Sequence, residues 1–158
     1  RPREGGGVPG ALRASLPFGL AHPVVLLSAL ALLATGVSGA IAALGDTLFK
    51  AETLREAIAQ DFSSTSHIFL RLRILHPAIA FAGGLFVLAT AYRLISPVAE
   101  RAGRRRSGFV LAGLVVLQWG LGFLNLVLLA PTWLQIVHLL VADLMWISLV
   151  LVAAAPRD

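Results

Sequence analysis

The chain has 158 residues, 58% of them hydrophobic and 13% charged, with a formal net charge of +5 and no cysteine. So apolar a composition excludes an ordinary soluble domain, which could not hide that much hydrocarbon, and fits helices that face lipid. The lack of cysteine excludes disulfides, thiolate nucleophiles and Cys-ligated metals. The basic residues stand at the ends of apolar runs and form no face of their own, which points to membrane orientation and not to nucleic acid.

In chain order, residues 1–20 are rich in Gly, Pro and Arg and read as a flexible cytoplasmic tail or linker without the apolar core of a signal peptide. Residues 21–158 read as all-α, an integral membrane four-helix up-down bundle. A helix needs about 20 apolar residues to cross the hydrocarbon core, and the segments 23–44, 68–95, 108–130 and 132–155 each qualify. Gly36, Gly39, Ala40 and Ala43 give the first span a small-residue stripe suited to close packing. The loop 46–66 carries Asp46, Glu52, Glu56 and Asp61 against Lys50 and Arg55, so it is placed outside. Within it Ala51, Leu54, Ile58 and Phe62 recur at helical spacing, which predicts a short amphipathic helix lying at the interface or acting as a lid. The loop 96–107 carries Arg101, Arg104, Arg105 and Arg106 against Glu100 and is placed inside. Both termini, with Arg1, Arg3, Arg13 and Arg157, then fall on the cytoplasmic side.

Of the four histidines, His22 and His67 stand at span boundaries and are expected to be ordinary interfacial residues. His76 and His138 lie well within apolar segments, where an ionisable side chain points to function. Counting inward from the outer ends of their helices, His76 lies ~12 Å and His138 ~9 Å deep, so two helices bring an imidazole to nearly one level. Their surroundings repeat: Arg73 precedes His76 by three places, Gln135 precedes His138 by three, and Ala follows each by four. The face of the second span carries Arg73, His76, Ala80 and Gly83, polar outward and small toward the midplane, which suits a flat macrocycle with propionates turned to Arg73. Pro77 removes a helical hydrogen bond and is expected to bend this span. Two imidazoles on facing helices suit a low-spin b-type haem, whereas zinc would need further ligands at that depth. Hydrogen bonding of the two histidines across the bundle is the alternative left open by spacing. Gln118 and Asn125 share a face of the third span and are expected to hydrogen-bond to neighbouring helices. Asp143 is expected to be a buried structural partner or a proton-path group, and Trp133 fits an outer aromatic belt.

The run Thr35-Gly-Val-Ser-Gly-Ala-Ile-Ala-Ala-Leu-Gly-Asp-Thr-Leu-Phe49 resembles the helix and loop that open the second half of haem A synthases. Leu75-His-Pro77, Gln118-Trp-Gly-Leu-Gly122 running on to Asn125, and Trp133-Leu-Gln-Ile-Val-His138 resemble the same family, and the similarity extends over nearly all of the chain after residue 20. The resemblance implies a protein of eight membrane helices in two pseudo-symmetric halves, an oxidoreductase that converts the ring methyl of haem O to the formyl of haem A for cytochrome oxidase. It implies that this chain is the carboxyl-terminal half, with His76 and His138 as axial ligands of haem b iron. Arg73 and Gln135 would be further cofactor-binding residues. The family's His-Arg dipeptide is here His76-Pro77, with Arg73 upstream, and the amino-terminal half is absent from these residues.

Three readings follow from the sequence. One is the haem-b half of a haem A synthase, active only within a full-length or assembled protein. Another is a small bis-His b-type cytochrome that carries electrons, and the third is a non-haem subunit with structural histidines. The implied partners are the lipid bilayer, the amino-terminal half or a second copy, haem O as substrate and a haem O synthase. The implied location is a bacterial cytoplasmic membrane, with the haem site near the outer face.

Overall fold

The computed structural model describes residues 23–95 and 102–155. The tail 1–20, His22, residues 96–101 of the basic loop and Arg157 lie outside the described residues. Among those described every element is helical: α1 (Pro23–Leu48), α2 (Leu54–Asp61), α3 (Ile68–Ile95), α4 (Ala102–Val127) and α5 (Thr132–Ala154). All but α2 are long and apolar enough to cross a membrane. The expected interfacial helix is α2, begun by Thr53, whose side chain accepts the Glu56 N–H at 3.2 Å, while Glu56 accepts the Glu52 N–H at 2.9 Å. Its apolar residues Leu54 and Ile58, and Phe62 just beyond, all remain exposed.

Three boundaries differ from expectation, the simplest being that α4 ends at Val127 and not at 130. The helix α1 runs on to Leu48, taking Asp46 into its last turn, and α4 starts before its apolar run, taking in Arg104, Arg105 and Arg106. Arginine is a good helix former and its long stem lets the charge reach water from a helix end, so charge marks where lipid stops and not where the helix stops. The helix α3 continues unbroken through Pro77. At the other end of α4, Leu129 and Ala130 have φ of 57° and 49°, a left-handed conformation unusual for residues with a Cβ. The Ala130 N–H bonds the Asn125 carbonyl at 2.7 Å, and the Ala130 carbonyl accepts the Gln135 side-chain amide at 2.6 Å.

The face of α1 that packs on α3 runs through Val25, Ser28, Leu32, Thr35, Ser38, Ala42 and Gly45, spaced three and four apart. Gly36 and Ala40 of the expected stripe are instead exposed, and a Cβ at Gly36 would meet nothing within 4 Å. Small residues therefore do bring the helices together, but on a face rotated from the expected one. Ser28 is fully buried, with its Oγ 2.8 Å from the Phe86 carbonyl and 2.9 Å from Thr90 Oγ1. Further along α1, Gly39 lies against His76 and Gly45 against Phe69. Partner numbers fall as α1 advances, so α1 and α3 run antiparallel. Trp119 stacks on Phe81 (centroids 4.8 Å apart) and covers Gly84, while Gly108 lies under Ala91, which sets α4 antiparallel to α3.

The apolar core gathers at one end of the bundle: Val25 and Leu32, Val87, Ala91 and Leu94, Leu111 and Val115, and Met145, Leu149 and Val152. Every histidine and ion pair described below lies toward the other end. A Cβ at Gly83 would stand 2.7 Å from Thr35 Oγ1. Gly83→Ala is therefore expected to force α1 off α3 and destabilise the bundle by ~1–3 kcal/mol, the usual range for overpacking, read as lower resistance to unfolding in detergent. Ala130→Gly is expected to do the reverse by up to about 1 kcal/mol, since it relieves a left-handed alanine.

Candidate functional site

His76 projects from the first half of α3 and is half-buried against α1. Its Nδ1 lies 3.0 Å from Ser38 Oγ, and Gly39 leaves room for the ring: a Cβ there would come to 3.1 Å from His76 Cε1. His138, two turns into α5, is treated the same way by α4. Its Nε2 lies 3.2 Å from Gln118 Nε2, and a Cβ at Gly122 would stand 3.4 Å from its Cε1. Each imidazole is thus set on the second helix of a pair, against a glycine and a polar side chain of the first. The two histidines do not hydrogen-bond to each other, but each bonds a side chain of a neighbouring helix, as the structural alternative expects.

Polar atoms without partners collect around His138. Its Nδ1, Gln118 Oε1 and Asn125 Oδ1 are all buried and unpaired; of such atoms among the described residues only Gln60 Oε1, on α2, lies elsewhere. Buried polar groups are nearly always satisfied, more so where lipid replaces water, so orphaned atoms on both α4 and α5 mark a region with hydrogen-bonding capacity to spare. Gln118 meets the expectation of an interhelical bond, whereas Asn125 finds no side-chain partner.

Arg73 does not face open space. Its Nη1 donates to Asp46 at 2.7 Å, and Nε and Nη2 donate to Asp61 at 3.0 and 2.5 Å. One guanidinium thereby ties the end of α1, the end of α2 and the start of α3. Gln135 is likewise occupied, donating to the Ala130 carbonyl and so pinning the α4–α5 turn. The small side of the His76 face is also taken, because Gly83 is covered by Thr35 and Ala31 of α1. The room expected for a macrocycle along that face is used for helix packing. His67 is exposed, accepts the Phe69 N–H at 3.3 Å and packs between Phe49 and Phe69, an end-of-helix role as expected. Asp143, expected to be buried, is exposed on the outer surface of α5, because Val141 and Met145 take the inward positions on either side. Ser38, Asp46 and Asp61 were not singled out as contact residues by sequence reasoning. The only signal for them was acidity near Arg73 in the chain, and small size for Ser38.

Replacing Arg73 by Gln leaves two carboxylates facing each other with their guanidinium removed. The side chains are partly exposed, at 13% for Arg73 and 28% and 18% for Asp46 and Asp61, so the cost falls between a surface and a buried pair. Arg73→Gln is expected to destabilise by ~2 kcal/mol and to speed amide exchange across residues 54–61 while leaving α4 unaffected.

Comparison with known proteins places the chain. The family model COX15-CtaA, described as cytochrome oxidase assembly protein, matches residues 15–150. Two curated proteins named "Protoheme IX farnesyltransferase", from two strains of Thermus thermophilus, are each 40% identical over 153 residues. The match takes in 97% of this chain and 24% of theirs, so the chain spans about a quarter of the length of these relatives. No solved structure matches significantly. With the family match running from α1 through most of α5, this chain belongs to the COX15-CtaA family of cytochrome oxidase assembly proteins.

Proposed function

We propose that the chain is the haem-b-binding carboxyl-terminal half of a haem A synthase, in which His76 and His138 would hold the haem iron. The observation that carries the reading is the paired setting of the two imidazoles. Each is backed by a glycine and a polar side chain from the preceding membrane helix. Among the described residues no group of three or more His, Asp or Glu side chains could enclose a bare ion, so two imidazoles suit a metal that brings its own equatorial ligands. The orphaned atoms of His138, Gln118 and Asn125 fit a group inserted beside α4 and α5.

A haem bound there supplies a one-electron redox centre. Ser38 orients the His76 ring through Nδ1, whereas Gln118 meets His138 at Nε2, so His138 would have to exchange that bond or offer Nδ1 to the iron. Arg73 and Gln135 stand one turn outward of the histidines, where propionates would lie. Three of the five Arg73 N–H donors are engaged by Asp46 and Asp61, which leaves one on each Nη for a propionate, in competition with the two carboxylates. Gln135 keeps a second amide N–H beyond the one given to the Ala130 carbonyl.

In this reading the bundle is up-down in a bacterial cytoplasmic membrane, with both termini on the cytoplasmic side and the haem site near the outer face. The basic start of α4 and the acidic loop around α2 support that orientation. The reaction, oxidation of a ring methyl of haem O to a formyl group, belongs to the assembled protein, in which an amino-terminal half or a second copy supplies the substrate site. Relatives whose name is a protohaem farnesyltransferase support a haem O synthase as a partner.

An absorption spectrum of the detergent-purified protein, oxidised and reduced, tests the clamp. A low-spin b-type spectrum is expected, lost in both His76→Ala and His138→Ala. A spectrum untouched by either substitution, or a protein that takes up no haem, would return both residues to a structural role.

A further inference from the structure

Ser38 is 8% exposed and lies on the α1 face that packs against α3. Its Oγ is 3.0 Å from the Thr35 carbonyl oxygen and 3.0 Å from His76 Nδ1. A hydroxyl has one proton to give and lone pairs with which to accept, whereas a carbonyl can only accept. Both bonds form together in one arrangement alone: Oγ–H donates to Thr35, and Nδ1–H of His76 donates to Oγ. The reverse arrangement, with the hydroxyl donating to Nδ1, gives up the Thr35 bond. It also moves the ring proton to Nε2, for which the described residues offer no acceptor. An unpaired donor in an apolar bundle is disfavoured.

Gly39 completes the cradle. A Cβ there would lie 3.1 Å from Cε1, 3.6 Å from Nδ1 and 3.7 Å from Nε2, so the glycine lets the ring edge approach α1 closely enough for the Ser38 bond. His138 has a glycine and a polar neighbour too, Gly122 and Gln118, but not this bond. Its Nδ1 is buried without a partner, and its Nε2 faces an amide nitrogen that can only donate. The two imidazoles are therefore prepared differently, one with its tautomer set by α1 and the other still short of a partner.

We propose that Ser38 is a positioning residue that fixes His76 as the Nδ1–H tautomer and so leaves Nε2 as the nitrogen with the free lone pair. The use of that lone pair for iron rests on the reading above; the tautomer itself does not. A ligating histidine whose other nitrogen donates to an oxygen is held in orientation and made a stronger base, and loss of such a partner commonly weakens metal binding ~10–100-fold.

Nitrogen NMR of isotope-labelled histidines in the haem-free, detergent-solubilised protein tests the proposal, at mildly alkaline pH where the ring is neutral. The His76 signals are identified by their loss in His76→Ala. In the wild type Nδ1 is expected in the protonated range and Nε2 in the unprotonated range. In Ser38→Ala both are expected to move toward the averaged values of exchanging tautomers. Ser38→Thr is expected to restore the wild-type pattern, because threonine keeps the hydroxyl and can donate to the same helical carbonyl. A wild-type His76 protonated on Nε2, or a tautomer unchanged in Ser38→Ala, overturns the assignment. With haem supplied, Ser38→Ala is expected to retain it ~10-fold less tightly. Loss of haem in His76→Ala with no weakening in Ser38→Ala would overturn the positioning role and leave the ligand reading intact. A protein that takes up no haem but shows the expected tautomer would remove the ligand reading and leave the role of Ser38 standing.

Discussion

The close approach of α1 to α3 is the constraint on which the rest of the bundle depends. In lipid there is no hydrophobic gain from pressing two apolar helices together, so contact must come from packing and interhelical hydrogen bonds. Along this interface small residues let the backbones draw near. Ser28 reaches the Phe86 carbonyl and Thr90 at one end, Gly83 lies under Thr35 in the middle, and Gly45 meets the Phe69 carbonyl at the other. The same nearness sets Ser38 and Gly39 against His76. A wider pair of helices would leave the imidazole without a partner and its orientation undefined.

The bundle is divided along its length by polarity. The end that holds Val87, Leu111, Val115 and Leu149 is dry and closely packed, with the Ser28–Thr90 pair fully satisfied. The other end holds His76, His138, Gln118 and Asn125, three of which carry buried atoms with no partner. Leaving such atoms unpaired costs free energy, and more so away from water. Apart from Gln60 Oε1 on α2, the unmet hydrogen-bonding capacity among the described residues lies on α4 and α5 toward this end. The dry end supplies the rigidity against which that receptive end is held.

Arg73 links this site to the membrane surface. With Asp46 and Asp61 it makes a cluster of one positive and two negative charges where three elements end, which suits a boundary where water and hydrocarbon meet. The helix α2, with no buried side chain of its own, is held largely through this pair and through light contact with α3. The depth of His76 below the surface and the position of α2 above it are therefore set by residues one turn apart on the same helix.

The sequence by itself determined the four membrane-capable helices, the short helix in the acidic loop, the family, and the two histidines as the residues that demand explanation. Those follow from local properties: length of apolar runs, helical spacing, and an ionisable group where hydrocarbon should be. What the tertiary structure decided was who meets whom. It put Arg73 and Gln135 onto Asp46, Asp61 and the Ala130 carbonyl, used Gly83 for helix packing, rotated the contact face of α1 away from Gly36 and Ala40, and turned Asp143 outward. None of this is legible in one strand of text, because in a nearly uniform apolar helix the hydrophobic pattern marks no inward face. Rotation about each axis is then set by which small residues and hydroxyls fit the neighbouring helix, a relation between residues as far apart in the chain as Ser38 and His76.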